Sequence, residues 1–286
     1  MERLLQSWAC LASHFIGELF DHAKPYIDND FTGLEPLVRF VTAQLYIDCH
    51  LSSESTLILI INQKEWDADL ITRAVLEGSI KLVYMLHGDT EEKLRKTNEF
   101  WNVLPLFSSI RHSERLQRLV AALKDSKDPQ WLPYHDLILS EKQVSEIRAK
   151  YSATDRKRLE ESWSFSGISR YFATSQDPGL NKLAHLAHGY GMSSHLLHKD
   201  ADGVGMVWER YDRDAEAQNA VKLSHSARVV SDICSFATLR LFSLLRATDQ
   251  TTEFIAALEQ KYRPLLFDEL SKANMHFTRI EYGART

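Results

Sequence analysis

Thr56-Leu-Ile-Leu-Ile-Ile61 is the stretch that decides the fold. Its β-branched side chains suit a strand, and a strand here would need a partner of matching alternation. No such partner follows. The run also sits inside a longer segment, about 34–62, whose apolar residues recur at helical spacing. The spacing therefore predicts a buried helix, with an interruption near Ser52–Ser55 where hydroxyls cluster. With that run read as helix, every candidate strand is gone. The expectation is an all-α fold, a multi-helix bundle of about eight to ten helices.

The flanking sequence agrees. Leu4, Leu5, Trp8, Leu11, Ala12, Phe15, Leu19 and Phe20 share one side of a helix over about 2–23, which Pro25 ends. A third helix, about 68–87, carries Leu70, Ile71, Ala74, Val75, Leu82 and Met85. Gly88 stops it, and Asp89 with Glu92 forms a capping pair for the next helix. Pro105 predicts an interruption of that next helix. Ser140 with Gln143 predicts a cap for a short helix ending near Tyr151. Residues 162–173 read as aromatic and irregular. Asp177-Pro178 opens a helix expected to run to about His198, and Gly203 with Gly205 predicts a loop. Long helices are expected over about 208–247 and 250–275. The reading is one helical domain over 1–286, with a loop or sub-domain break at 124–139, where Pro129 and Pro133 fall.

Composition excludes several classes. Of 286 residues, 44% are hydrophobic, enough for a large core. The formal charge of −5 argues against a polybasic nucleic-acid binder. Only 11 Gly and 7 Pro argue against a disordered or loop-rich chain. Cys10, Cys49 and Cys234 are scattered, which excludes a disulfide framework and a zinc ribbon and predicts core filling in a reducing cytoplasm. Charged residues interrupt the apolar N-terminus, so no signal peptide is expected, and no run approaches membrane-spanning length.

Two polar groupings stand out. Arg73 and Glu77 lie four residues apart on the most apolar helix, within reach of each other. They form either a polar site between helices or an ion pair on a solvent face. The second grouping is His185, His188, Tyr190, Ser194, His195 and His198. Tyr190, Ser194 and His198 make a stripe along one helix face. Three readings stand open: a metal site, a catalytic stripe with His198 as general acid or base, and histidines that cap, pack or face water. No HExxH pattern is present, and no metal is expected. Gly189 and Gly191 suggest close packing or a kink. Trp163 and Trp208 read as core anchors or as pocket walls. The chain has no P-loop, no GxGxxG and no GxSxG.

Taken together, Arg73 and Glu77, Trp163, and the Tyr190–Ser194–His198 stripe with Asp200 beyond it resemble a bacterial all-helical family, the domain of unknown function DUF5677. The resemblance covers about residues 35–205. More remotely the chain is similar to HEPN-type ribonucleases and abortive-infection proteins of phage defence. The resemblance implies a cytoplasmic bundle and a metal-independent ribonuclease toxin or defence effector with no cofactor. In that role Arg73 would hold phosphate and His198 would move protons, oriented by Glu77 or Ser194. Tyr190, Trp163 and His195 would contact substrate. RNA is the implied partner, with a homodimer or a defence-system protein as further partners and no membrane. One departure counts against it: the closely spaced Arg and His that HEPN ribonucleases carry on one helix is absent here. The alternative is a non-catalytic scaffold or sensor module whose polar core sets helix register.

Overall fold

The structure, a computed structural model, describes residues 1–123, 128–183, 185–186 and 195–283. It is 85% helical, with no strand among the described residues. The chain begins with helices α1 (Glu2–Ile27), α2 (Pro36–Ile61) and α3 (Glu65–Leu86). Then come α4 (Thr90–Asn98), α5 (Leu104–Ala122), α6 (Leu132–Asp136), α7 (Glu141–Lys150), α8 (Ala153–Ser162), α9 (Phe165–Ala173) and α10 (Pro178–Leu183). The chain ends with α11 (Ala201–Tyr211), α12 (Ala215–Ala247), α13 (Glu253–Tyr262) and α14 (Asp268–Tyr282). α4 passes into α5, and α13 into α14, through π turns at Glu99–Val103 and Arg263–Phe267. With each such pair counted as one rod there are twelve helices among the described residues, ten of them seven residues or longer.

The decisive run is helical. Thr56, Leu57 and Ile60 are buried while Ile58 is 59% exposed. That spacing of one and four follows a helix rather than the alternation of a strand. The expected interruption at Ser52–Ser55 does not occur. Ser53, Ser55 and Thr56 each donate their hydroxyl to the carbonyl four residues back (Cys49, Leu51 and Ser52), so the hydroxyls are satisfied within the helix and do not break it.

Other boundaries moved for local reasons. Residues 165–173 form a helix, not an irregular segment. Ser164 accepts from the Gly167 amide as its N-cap, and Phe165, Ile168 and Phe172 bury one face. Gly203 and Gly205 lie within α11, which Asp200 caps through the Gly203 amide. Asp214 caps α12 through the Ala217 amide, which splits the expected 208–247 helix in two. The capping box at Ser140 and Gln143 is present, as is the Asp89 cap on the Glu92 amide. Cys49 and Cys234 are buried, whereas Cys10 is exposed and fills no core.

α3 is the hinge of the packing, lying against α2 on one side and α12 on the other. α1 and α14 cover α12, and α9 packs on the C-terminal half of α3. One apolar cluster takes in Leu5, Phe15, Leu82, Ile168, Phe172, Leu241 and Leu266, so it draws on chain from both sides of 124–139. Among the described residues no helix is long and apolar enough to cross a membrane.

Candidate functional site

α3 carries a charge ladder at four-residue steps: Glu65, Asp69, Arg73, Glu77 and Lys81. Each step turns about 400°, so successive side chains drift only slightly around the helix. The upper rungs, Glu65 and Asp69, are buried; the lower three are half-buried. α12 faces the upper rungs with His225, Arg228 and Asp232, at spacings of three and four that share one face.

The two helices are joined there by charge. Arg228 Nη2 lies 2.9 Å from Asp69 Oδ1, and Arg228 Nη1 donates to Asp232 Oδ2 at 2.9 Å. Arg228 Nη2 also lies 3.2 Å from His225 Nε2, which then acts as acceptor in a neutral ring protonated at Nδ1. Asp69 Oδ2 stands 3.6 Å from the same nitrogen, beyond a hydrogen bond. Burial pushes the Asp69 carboxyl up, but the Arg228 guanidinium outweighs it and holds it below its usual range. Burial depresses the His225 pKa; Asp69 opposes this and Arg228 reinforces it. Burial raises Asp232 to about 6 against the pull of Arg228. The result is a neutral imidazole beside a guanidinium already shared by two carboxylates.

This seam borders a cleft of about 290 Å³. Glu65 and Trp66 of α3, Arg210 and Tyr211 of α11, and Lys222 and His225 of α12 line it. The Trp66 and His225 rings meet edge to face, centroids 4.3 Å apart.

The residues expected from sequence are distributed as follows. Arg73 and Glu77 occupy adjacent rungs of the ladder, and Glu77 Oε1 accepts from Lys81 Nζ at 2.7 Å. Tyr190 and Ser194 lie outside the described residues. His195 Nδ1 pairs with Asp200 Oδ2 at 2.8 Å, and that hydrogen bond raises its pKa. His195, Asp200 and Asp202 are close enough to share a cation, but Asp200 is already engaged with the Gly203 amide and the imidazole. His198 is exposed. Trp163 is buried in the core, donates Nε1–H to Glu99 Oε2 at 3.0 Å and packs edge to face on Tyr84. Tyr84 lies eleven residues along α3 from Arg73, about 16 Å, so Trp163 serves a different end of that helix. The structure thus keeps Arg73 and Glu77 on one stripe and puts Trp163 elsewhere.

Sequence reading missed Glu65, Trp66, Asp69, His225, Arg228 and Asp232. A signal existed: extending the Arg73–Glu77 spacing upstream reaches Asp69 and Glu65. His225 falls with Arg228 and Asp232 on one face of the long helix expected over about 208–247. Comparison with family models, with curated proteins and with solved structures returns no match.

Proposed function

We propose that this chain is a non-catalytic helical sensor or scaffold module, whose charged residues lock α3 to α12 beside a ligand-sized cleft. One observation carries the reading: the charges of the seam are spent on each other. Arg228 is shared by Asp69 and Asp232, and Glu77 is held by Lys81. A guanidinium bound to two carboxylates has little residual attraction for a phosphodiester. The resemblance in the Arg73–Glu77 and Tyr190–Ser194–His198 spacings extends the proposal to a bacterial defence setting, with a second copy or another defence protein as partner.

The test is incubation of the purified chain with total RNA in EDTA. The expected outcome is RNA of unchanged length. Cleavage that disappears in His225→Ala or His198→Ala would overturn the proposal.

That second outcome corresponds to the ribonuclease reading, which one observation favours. His225 lines the cleft, which puts an imidazole, the commonest acid–base group, within reach of a bound molecule.

A further inference from the structure

Two residues of the cleft hold unmatched atoms. Glu65 is 8% exposed, and its Oε2 is fully buried without a hydrogen-bond partner. Arg210 Nε is likewise buried and unpartnered. Both residues line the same cavity. A buried carboxylate oxygen and a buried guanidinium N–H are each costly to leave unmade. A ligand that answers both residues presents a donor to the carboxylate and an acceptor to the guanidinium.

The remaining walls narrow the choice. Trp66 gives an aromatic wall, with Arg210 Cζ 5.9 Å from its ring centroid. Lys222 Nζ donates at 3.0 Å to the neutral amide oxygen of Gln63, and among the described residues no carboxylate forms an ion pair with it. With His225 neutral, the cleft holds one anion and two cations. It suits a planar ligand that carries both donor and acceptor groups and a net negative charge. Guanine offers adjacent N1–H and N2–H donors for a carboxylate, and its O6 on the same edge accepts from a guanidinium. A phosphate on the attached sugar would answer Lys222.

We propose that this cleft binds a guanine nucleotide, with Glu65 and Arg210 reading the base edge, Trp66 against the ring and Lys222 on the phosphate. The cavity, about 290 Å³, lies at the small end of ligand sites, roughly 300–1,000 Å³. It takes one nucleotide rather than a duplex. The adjoining chain favours a free nucleotide over the end of an RNA: residues 199–216 carry six carboxylates against three cations, a field that repels a polyanion. The proposal rests on the sensor reading and supplies its ligand.

The experiment is calorimetric titration of the full chain with guanosine, GMP, AMP, CMP and UMP, and with a guanosine-terminated pentaribonucleotide. The nucleotide is recovered afterwards for chromatography. GMP is expected to bind at least about tenfold more tightly than AMP, the size of one good edge-reading contact. Glu65→Gln should erase most of that preference, and Lys222→Ala should weaken GMP but not guanosine. Trp66→Ala should weaken all purines; since it removes wall packing, its fold is checked by circular dichroism, and Lys222→Ala at the partly exposed rim serves as the second variant.

Binding with GMP recovered unchanged supports both the ligand and the sensor reading. Binding with GMP converted supports the ligand and overturns the non-catalytic reading. No heat with any nucleotide, or GMP affinity unchanged in both Glu65→Gln and Lys222→Ala, overturns the ligand while leaving the seam as described. Pentaribonucleotide binding much tighter than GMP overturns the free-nucleotide source.

Discussion

Replacing Arg228 with alanine strands the Asp69 carboxylate between α3 and α12. Asp69 is 4% exposed, and among the described residues the other ionisable group close to it is the neutral His225 at 3.6 Å. Removing one member of a buried pair costs about 3–5 kcal/mol when the survivor stays dry. Here the Arg228 side chain is 43% exposed, so water enters where it stood and rehydrates part of the carboxylate. The expected loss is therefore lower, about 2–3 kcal/mol. Asp69→Ala is the informative comparison. It leaves Arg228 with Asp232 at 2.9 Å and with access to solvent, so its expected loss is smaller, about 1–2 kcal/mol. For a chain of this size 1 kcal/mol moves Tm by roughly 2–4 °C, so the two variants separate in a thermal melt. The assay is urea unfolding followed by circular dichroism at pH 7, with Arg228→Met as the control that keeps the aliphatic stem. In Asp69→Ala/Arg228→Ala the losses should be less than additive, because the second substitution removes a charge already unpaired. Arg228→Ala no more destabilising than Asp69→Ala, or strict additivity in the double variant, would refute the reasoning.

The same seam gives a signed pH dependence. Asp232 titrates at about 6 instead of 3.8, so it contributes stability below its unfolded value that is lost as pH rises through about 6; Asp232→Asn should flatten the stability profile across that window. Asp69 acts oppositely: its contribution is complete above the ordinary carboxylate range and is lost as pH falls below it, so Asp69→Asn should reduce acid sensitivity there. Lys96, fully buried, has its ammonium against the Tyr84 and Tyr171 rings, 4.5 and 4.7 Å from their centroids, and donates to the His87 carbonyl at 2.9 Å. Lys96→Met keeps the stem and should cost about 1–2 kcal/mol, whereas Lys96→Ala adds a cavity and should cost about 3–4 in the same urea assay; equal losses would contradict a packed cage. A β-carbon at Gly78 would stand 2.5 Å from Cys49 Sγ. Gly78→Ala should therefore destabilise by about 1–3 kcal/mol despite the usual helical gain from alanine, and Cys49→Ala should recover part of the loss.

Local chemistry was legible wherever a short stretch settles the matter. The caps at Asp89 and Ser140, the helical spacing of α1, and the reading of Thr56–Ile61 as helix all follow from residues within a turn or two of each other. Failures came where one local cue opposed another. Glycine at 203 and 205 suggested a loop, but the Asp200 cap and the packing of the first turn on the His195 backbone hold a helix. Aromatic residues at 162–173 obscured a helix whose apolar face is set by Phe165, Ile168 and Phe172.

By itself the sequence determined the fold class and the presence of a charged stripe on the most apolar helix, because helical period and four-residue spacing are properties of a single segment. It could not determine which helix answers that stripe. Asp69 and Arg228 are 159 positions apart in the chain, and only the packing of α12 against α3 brings them to 2.9 Å. The tertiary structure likewise decided that Trp163 belongs to the core and that Glu65, Trp66, Arg210 and Lys222 face one cavity. The physical reason is common to both: an ion pair or a cleft depends on distance in space, and distance across a helical bundle is fixed by side-chain packing between segments rather than by the spacing within any one of them.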